Sequence, residues 1–395
     1  MVANVTLVLF ALAGLGLLAL AAQLAALRRH VKEPPRSPRA RPAAVSILKP
    51  LCGLDDELEA NLAAFADLDH PEYEVLLGVR SARDPAYAGA RAAARRRPDR
   101  FRVVVQRGEP GWNPKVNQLL TLARAARHGI LVISDSNVRV PRGYLAEIVA
   151  LLEDERVGLV THPIVGVGEQ RLGSVLDHLH LAGAIGPGVV AAKRLARRDI
   201  VVGKSMAMRR ADLEAMGGFE AVKDVLAEDY VMGLRVGAVL GKRIEVAHQP
   251  IQNVSARRSL GDFAGRYRRW SVLQRQMVGR RVYVAQAVLN PILLATLGAA
   301  AAPSPRAAAS LAAVCVAKTA LDGAAARALR PRGFALRHLA LVPLKDVVFG
   351  LAWLHGLVCR DVVWRGTRLR VLPGTRIEAA APRGSPSRAR SVAAA

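Results

Sequence analysis

The run Gly129-Ile130-Leu131-Val132-Ile133-Ser134-Asp135-Ser136-Asn137-Val138-Arg139-Val140 decides how the chain is read. Its first half is short, apolar and rich in β-branched residues, the composition of a strand buried on both faces of a parallel sheet. It then stops abruptly at Asp135, Ser136 and Asn137. A carboxylate at the carboxyl end of such a strand has two ordinary uses. It caps the following turn, or it stands at the ligand edge of the sheet and holds a divalent cation that in turn holds a diphosphate.

Outward from that run, strand-like and helical stretches alternate. Residues 44–48, 74–79 and 101–105 read as further strands. Residues 55–68 carry Leu58, Leu62, Phe65 and Leu68 at helical spacing, and 84–97 and 114–127 also read as helices. The rhythm predicts an α/β domain over residues 44–280, with a mostly parallel sheet and helices on both faces. Ligands then belong at the carboxyl ends of the strands. Lys49-Pro50-Leu51-Cys52-Gly53 follows the first strand in place of GxGxxG, which argues against a dinucleotide cofactor.

Charge and composition bound the rest. Lysine and arginine number 57 against 32 acids, a net +25 that favours anionic partners. Nucleic acid is disfavoured as a partner: the basic residues are spread through linkers and helices, aromatics are 4% of the chain, and no nucleic-acid motif occurs. The three cysteines, Cys52, Cys315 and Cys359, are far apart and lack CxxC spacing, so they read as reduced, with no zinc site or disulfide framework.

Residues 1–27 read as a transmembrane helix, uncharged from Val2 through Leu27. The linker 28–43 carries six basic residues (Arg28, Arg29, Lys32, Arg36, Arg39 and Arg41) and four prolines. The positive-inside rule puts the amino terminus outside and the bulk of the chain in the cytosol. Residues 281–360 hold further membrane segments: 282–302 with Pro291 as a tolerated kink, a weaker span from 307, and a segment at 339–358 containing Lys345, Asp346 and His355. Such charges are costly at membrane depth unless they face protein or water; with the amino terminus outside, the first three segments bring the chain back inside, and a basic tail that stays inside makes the last segment re-entrant or interfacial. Residues 361–395, with Arg365, Arg368, Arg370 and Arg376, read as a basic cytosolic tail with a disordered end. The expected location is a multi-pass protein of a bacterial cytoplasmic membrane.

Three further features bear on Asp135. Asp84 follows the second strand. Glu228-Asp229-Tyr230 opens an apolar-periodic helix, where acids also suit the helix dipole. Arg266-Tyr267-Arg268-Arg269-Trp270 precedes the membrane region, the usual place of a headgroup-binding basic helix.

Together these residues resemble the membrane glycosyltransferases of the GT-A fold, and most closely the ceramide glucosyltransferases, glycosyltransferase family 21. The likeness runs from Val45-Ser46-Ile47-Leu48-Lys49-Pro50-Leu51 to Trp364-Arg365-Gly366. The family carries three spaced aspartates and a (Q/R)xxRW motif. Asp84, Asp135 and Asp229 match the first, and Arg266, Arg269 and Trp270 the second. Asn113-Pro114-Lys115-Val116-Asn117 and Tyr73-Glu74-Val75-Leu76-Leu77 also resemble family segments.

The resemblance implies roles position by position. Asp229 is the expected general base. Asp84, Asp135, Lys115, His162, Arg266, Arg269 and Trp270 are expected at the donor, with Asp84 on the uridine. His162 reads equally as a buried structural histidine. Lys204, Ser205 and Glu228 are expected at the acceptor or sugar pocket, and Asp135 with Asn137 at a divalent cation, magnesium or manganese. Two positions depart from the family pattern: Lys204 is a cation where a small or neutral residue is expected, and Asp135-Ser136-Asn137 is not a strict DxD. The implied partners are a UDP-sugar, a lipid acceptor and the bilayer; the oligomeric state stays open. The implied reaction is inverting hexose transfer to a lipid hydroxyl, glucose to ceramide first. N-acetylglucosamine to a hopanoid, a processive polysaccharide synthase and a non-catalytic membrane scaffold are the alternatives.

Overall fold

A computed structural model describes residues 2–38, 41–364 and 367–379; Arg39, Arg365 and the expected disordered end at 380–395 lie outside the described residues. The apolar runs form strands where expected: Val45–Pro50 (β1), Tyr73–Val79 (β2), Phe101–Val105 (β3) and Ile130–Ser134 (β4). They continue as Val138–Arg139 (β5), Val157–Thr161 (β6), Ile164–Val167 (β7), Ser205–Arg209 (β8), Arg243–Val246 (β9) and Ile251–Val254 (β10). The main sheet has seven strands in the order β3-β2-β1-β4-β8-β6-β9. Alternate residues serve opposite faces, as the pleat requires. Ile47, Val75 and Val132 pack into one core, and Leu48, Leu76 and Ile133 into the other.

The sheet is mostly parallel, with one exception that the sequence reading does not anticipate. β8 runs antiparallel to both β4 and β6 and lies between them. A second sheet, β5-β10-β7, continues from the end of β4.

The amino-terminal helix is Val2–Lys32 (α1). The helices of the sheet domain are Leu58–Ala63 (α2), Ala86–Arg96 (α3), Pro114–Ala125 (α4), Tyr144–Leu152 (α5), Leu172–His180 (α6), Gly186–Arg194 (α7), Arg210–Ala215 (α8) and Glu228–Leu240 (α9). α2 is shorter than the periodicity of 55–68 suggests, because tight i→i+3 bonds at Phe65 and Ala66 end it. A π-helical turn, Leu181–Ile185, joins α6 to α7.

The apolar region differs from the sequence reading at the second expected span. The expected span at 282–302 is not one helix. Leu260–Ala285 (α10) passes through a 3₁₀ turn to Asn290, and Pro291–Ala301 (α11) leaves at a bend of 81°. Asn290 caps α11 by accepting the Leu293 N–H, so Pro291 is a first-turn proline after a break and not an interior kink. Leu336–Leu339 (α13) and Val342–Val358 (α14) give an apolar helical stretch at 336–358, and Pro305–Leu329 (α12) precedes it. Among the described residues, four helices are long and apolar enough to cross a membrane: 4–32, 172–194, 305–329 and 336–358, or five if the bent pair is one span. Within the stretch at 172–194, however, 78% of the most apolar window is buried inside the protein.

The described part of the expected basic tail is residues 361–364 and 367–379. Asp361–Trp364 (β11), Thr367–Val371 (β12) and Ile377–Ala379 (β13) form an antiparallel sheet, held to the loop before α9 by Leu226 N–H to Thr375 O and Ile377 N–H to Asp224 O.

The charges in the membrane segments pair with one another. Lys318 Nζ lies 2.5 Å from Asp322 Oδ1, and Lys345 Nζ is 2.7 Å from Asp322 Oδ2 and 2.9 Å from Asp346 Oδ1. Lys318 closes the ring at 3.4 Å from Asp346 Oδ2. Two cations and two anions thus sit buried together, which is how such residues are tolerated at depth. At the other end of α1, Arg194 of α7 donates to both oxygens of Glu33 and to His30 Nδ1, and His248 lies between Glu33 and Glu147. This clasp ties the first membrane helix to the sheet domain.

α10 is seated by contact between backbones. A Cβ on Gly173, in the first turn of α6, would lie 1.8 Å from the carbonyl oxygen of Ser259, the residue that caps α10. Gly173→Ala is expected to destabilise the protein by about 1–3 kcal/mol. Gly237→Ala, in the open interior of α9 with nothing near its Cβ, is expected to stabilise it by about 0.4–1 kcal/mol. Paired thermal melts of the detergent-solubilised variants check both signs.

Candidate active site

The chain order reverses at β1: β2 and β3 lie on one side and β4 on the other. A crevice opens at the carboxyl ends of β1 and β4, the place where open α/β sheets bind ligands. Asp135 follows β4 into that crevice. Its Oδ1 is 2.9 Å from Lys115 Nζ and its Oδ2 is 3.0 Å from Lys204 Nζ. Lys49, fully buried at the end of β1, donates to the Asp135 carbonyl oxygen at 2.7 Å and stands over the Phe65 ring. Burial raises the Asp135 carboxyl, but the Lys115 and Lys204 ammonium groups outweigh it and hold it well below the usual carboxylate range. Burial, with the Lys204 charge adding to it, brings the Lys49 ammonium down to about 7, against the pull of Asp135 and Asp55.

Local structure aims these groups. Pro114 occupies the first turn of α4, and the Asn113 side chain caps it by accepting the Lys115 and Val116 N–H groups. Lys115 then reaches across the crevice. Its three donors meet Asp135 Oδ1, Glu228 Oε1 at 2.8 Å and the Gly203 carbonyl at 3.0 Å. Lys204 stands immediately before β8 and, besides Asp135, donates to Asn137 Oδ1 at 2.6 Å. The Asn137 amide is turned by its own bonds to Asn253 Oδ1 and the Val254 carbonyl.

Asp229 lies in the first turn of α9. Its Oδ2 accepts the Gly203 N–H at 2.8 Å and its Oδ1 the Tyr230 N–H. Only glycine admits this approach, because a Cβ at 203 would sit 2.5 Å from Oδ2. Burial, and then the neighbouring Glu228 carboxylate, push the Asp229 carboxyl up to about 6, against the opposing Lys115 charge. A carboxyl group poised there accepts a proton at neutral pH. Glu228 does not cap the helix; it is spent on Lys115 and on Asn113, whose Nδ2 donates to it.

One cavity of about 2630 Å³ is lined by Asp135, Lys115, Lys204, Glu228 and Asp229 at the sheet edge. Arg266, Arg269 and Trp270 of α10 also line it. It continues between the membrane helices to Asn290, Lys318, Asp346 and Trp353. Arg266 is fixed by Asp177 at 3.3 Å and lies over the Trp270 ring at 5.7 Å.

Three of the expected residues stand outside the cavity lining. His162 is fully buried beneath β8, where its Nδ1 meets Ser205 Oγ at 2.9 Å and its ring lies beside Tyr144; burial lowers it to about 4. Ser205 is spent in that same buried network, with Tyr144 Oη 2.6 Å away. Asp84 accepts the N–H groups of Gly53 and Ala86 at 2.9 Å, which caps α3 and ties down the loop after β1. Three residues join the site that sequence reasoning missed. Asp55 lines the cavity and takes the Ser136 hydroxyl. Asp177 is a fully buried acid that collects Arg258, Arg266 and the Tyr267 hydroxyl. Lys49 alone carried a signal, as a cation ending a buried strand.

The residues expected to hold a divalent cation do not fit one in this arrangement. Both Asp135 oxygens and the Asn137 oxygen already face ammonium groups, whereas magnesium or manganese needs unshared oxygen ligands. Among the described residues, one grouping could hold a metal ion by distance, His30, Glu33 and His248 in the clasp at the end of α1.

The chain matches the family described as Glycosyl transferase family 21 over residues 7–377. It is 29% identical over 245 residues to ceramide glucosyltransferase 1 of Caenorhabditis elegans, covering 59% of this chain and 50% of that protein. It is 30% identical over 193 residues to the ceramide glucosyltransferase of Komagataella phaffii, covering 43% and 38%. The chain thus spans about half the length, or less, of these curated relatives. Among solved structures, mannosyltransferase PcManGT from Pyrobaculum calidifontis, in complex with GDP-Man and Mn2+, shares the fold at a TM-score of 0.53 and 22% identity, over 90% of this chain and 99% of that one. With the match running through nearly the whole chain, the protein belongs to glycosyl transferase family 21.

Proposed function

We propose that the protein moves a hexose from a UDP-sugar to the hydroxyl of a membrane lipid with inversion at the anomeric carbon, and that the first substrate pair is UDP-glucose and ceramide. One observation carries this reading. The Asp229 carboxyl, poised at about 6, opens into a single cavity that continues between apolar helices. A soluble donor can enter at the sheet edge, and a lipid can arrive laterally from the bilayer. The ceramide glucosyltransferases among its relatives support the lipid acceptor.

In this reading the lipid hydroxyl oxygen attacks the anomeric carbon from the face opposite the diphosphate. Its proton passes to an Asp229 carboxylate oxygen as the new C–O bond forms. The bond from the anomeric carbon to the diphosphate oxygen breaks, and its electron pair leaves with the UDP. Lys204 stands where that charge develops, with the Lys115 charge behind it, and a preorganised donor there acts without reorganising during the reaction. Arg266 and Trp270 form the wall between donor and acceptor, and Asp84 braces the loop against which the uridine would lie.

The topology follows the charges. α1, the bent α10–α11 pair and α12 cross the membrane in this reading: Gly298 of α11 lies against Leu9 and Phe10 near the amino terminus of α1, and Arg330 at the end of α12 donates to Gly166 and Glu169 of the sheet domain, so α14 starts and ends on the sheet-domain side. Three crossings leave the sheet domain and residues 361–379 on one side, the cytosolic side given by the basic linker after α1. In a bacterium that membrane is the cytoplasmic one.

Asp229→Asn is expected to lower the transfer rate by ~10²–10⁴-fold while UDP binding, followed by calorimetry, persists. Transfer at the wild-type rate removes Asp229 as the base. The pH dependence has a definite sign. Above about 6 Asp229 is ionised and the rate is full; below it the protonated carboxyl cannot accept a proton, and kcat/KM falls about tenfold per pH unit. A flat profile between roughly pH 5 and 7 contradicts this assignment. Ceramide and a hopanoid alcohol offered together with several UDP-sugars, with products read by mass spectrometry, identify the acceptor; glycosylated ceramide is the expected product.

A further inference from the structure

We propose that the Lys204 ammonium group is the resident cation of the donor diphosphate site, standing between Asp135 and Asn137 where a divalent ion would bind, so that sugar transfer needs no metal. This rests on the donor reading above. The run after β4 offers two side-chain oxygen ligands that face one point, Asp135 Oδ2 and Asn137 Oδ1, and Lys204 Nζ is 3.0 Å from the first and 2.6 Å from the second. The remaining Asp135 oxygen is on Lys115. A hard divalent ion takes about six oxygen ligands at roughly 2.0–2.1 Å. It would have to expel an ammonium group from those same oxygens.

The arrangement is built, not incidental. Asn137 is buried, and its amide nitrogen is held by Asn253 and Val254, so its oxygen is turned toward Lys204. The Lys204 carbonyl also accepts the Asp135 N–H, at 3.3 Å, which fixes the two residues to each other through the backbone. An ammonium group has three donors. Lys115 spends all of its own on Asp135, Glu228 and Gly203. Lys204 spends two, on Asp135 and Asn137, and lines the cavity. Its third donor is available to an anion there. As the bond from the anomeric carbon to oxygen breaks, the leaving phosphate oxygen gains the electron pair and Lys204 donates a hydrogen bond to the diphosphate. No proton is transferred, and no further reactant is required.

The test uses the full chain in lipid nanodiscs, with UDP binding by calorimetry and lipid glycosylation as separate readouts, each in chelator and in added Mn2+. Wild type is expected to bind UDP and to transfer sugar equally in both conditions. Lys204→Ala is expected to bind UDP roughly tenfold to a hundredfold more weakly in chelator, and to regain part of that loss in Mn2+ because Asp135 and Asn137 are released to hold the ion. Lys204→Arg, which keeps the charge, is expected to bind UDP in chelator better than Lys204→Ala. Wild-type UDP binding that disappears in chelator and returns with Mn2+ overturns the proposal and leaves the glycosyltransferase reading intact. Absence of UDP binding in every condition overturns the donor reading, and the proposal with it. A Lys204→Ala protein that melts far below wild type is replaced by Lys204→Met, which keeps the packed stem, in the same binding measurement.

Discussion

A carboxylate withdrawn from water at the end of a buried strand must be paired, and Asp135 is paired twice. That pairing organises the crevice. Lys115 brings the start of α4 to it, Lys204 brings the start of β8, and Lys49 supports the backbone from β1. Lys115 also meets Glu228, which stands beside Asp229, so the surroundings of Asp135 and Asp229 are coupled through one lysine. The two carboxylates are driven to opposite behaviour by this sharing. Asp135 keeps two cations and stays ionised, whereas Asp229 is left with a like charge beside it and rises toward neutrality.

The same rule acts in the membrane segments. Lys318, Asp322, Lys345 and Asp346 would each be prohibitive alone, and together they form a neutral ring. The ring also fixes shape. Gly183, in the π-helical turn before α7, lies so close to Asp322 that a Cβ would reach its carboxyl at 2.5 Å. The sheet domain and the membrane helices therefore meet through charged groups as well as through apolar packing.

Much of the sheet was legible because local composition and burial agree. The runs that became β1 to β4 are apolar and bounded by turn residues, and the helices between them have a clear period. The place of Asp135 followed from that order alone. β8 was not legible: Met206, Ala207 and Met208 carry no β-branched signal, and antiparallel pairing between β4 and β6 is set by tertiary contact. The helical stretch at 172–194 was hidden by Gly183, Gly186, Pro187 and Gly188, which read as breakers. The small sheet of β11, β12 and β13 was hidden by its arginines, two of which, Arg368 and Arg370, pair with Asp361 across the strands. Of the acids in the site, Asp55 and Asp177 were missed, whereas Asp135, Glu228 and Asp229 could be named from spacing and resemblance. Their partners could not, because Lys204 meets Asn137 and Arg266 meets Asp177 only after folding brings distant segments together.

The corner at Asn290 bears on the bilayer itself. Its side chain caps α11 and also donates to the Asp346 carbonyl in α14, so the bend is fastened at both ends. α11 has 11 residues, a rise of about 16 Å against a hydrocarbon thickness of ~30 Å. Its far end lies against Leu9 and Phe10 in the first turns of α1, so in the proposed topology α11 would serve only one half of the bilayer, and the two leaflets would meet unequal cross-sections of protein. Lipids against the narrower section would tilt or compress to cover it, and a thinned, strained patch of one leaflet would be where an amphiphile is most easily drawn out of its neighbours.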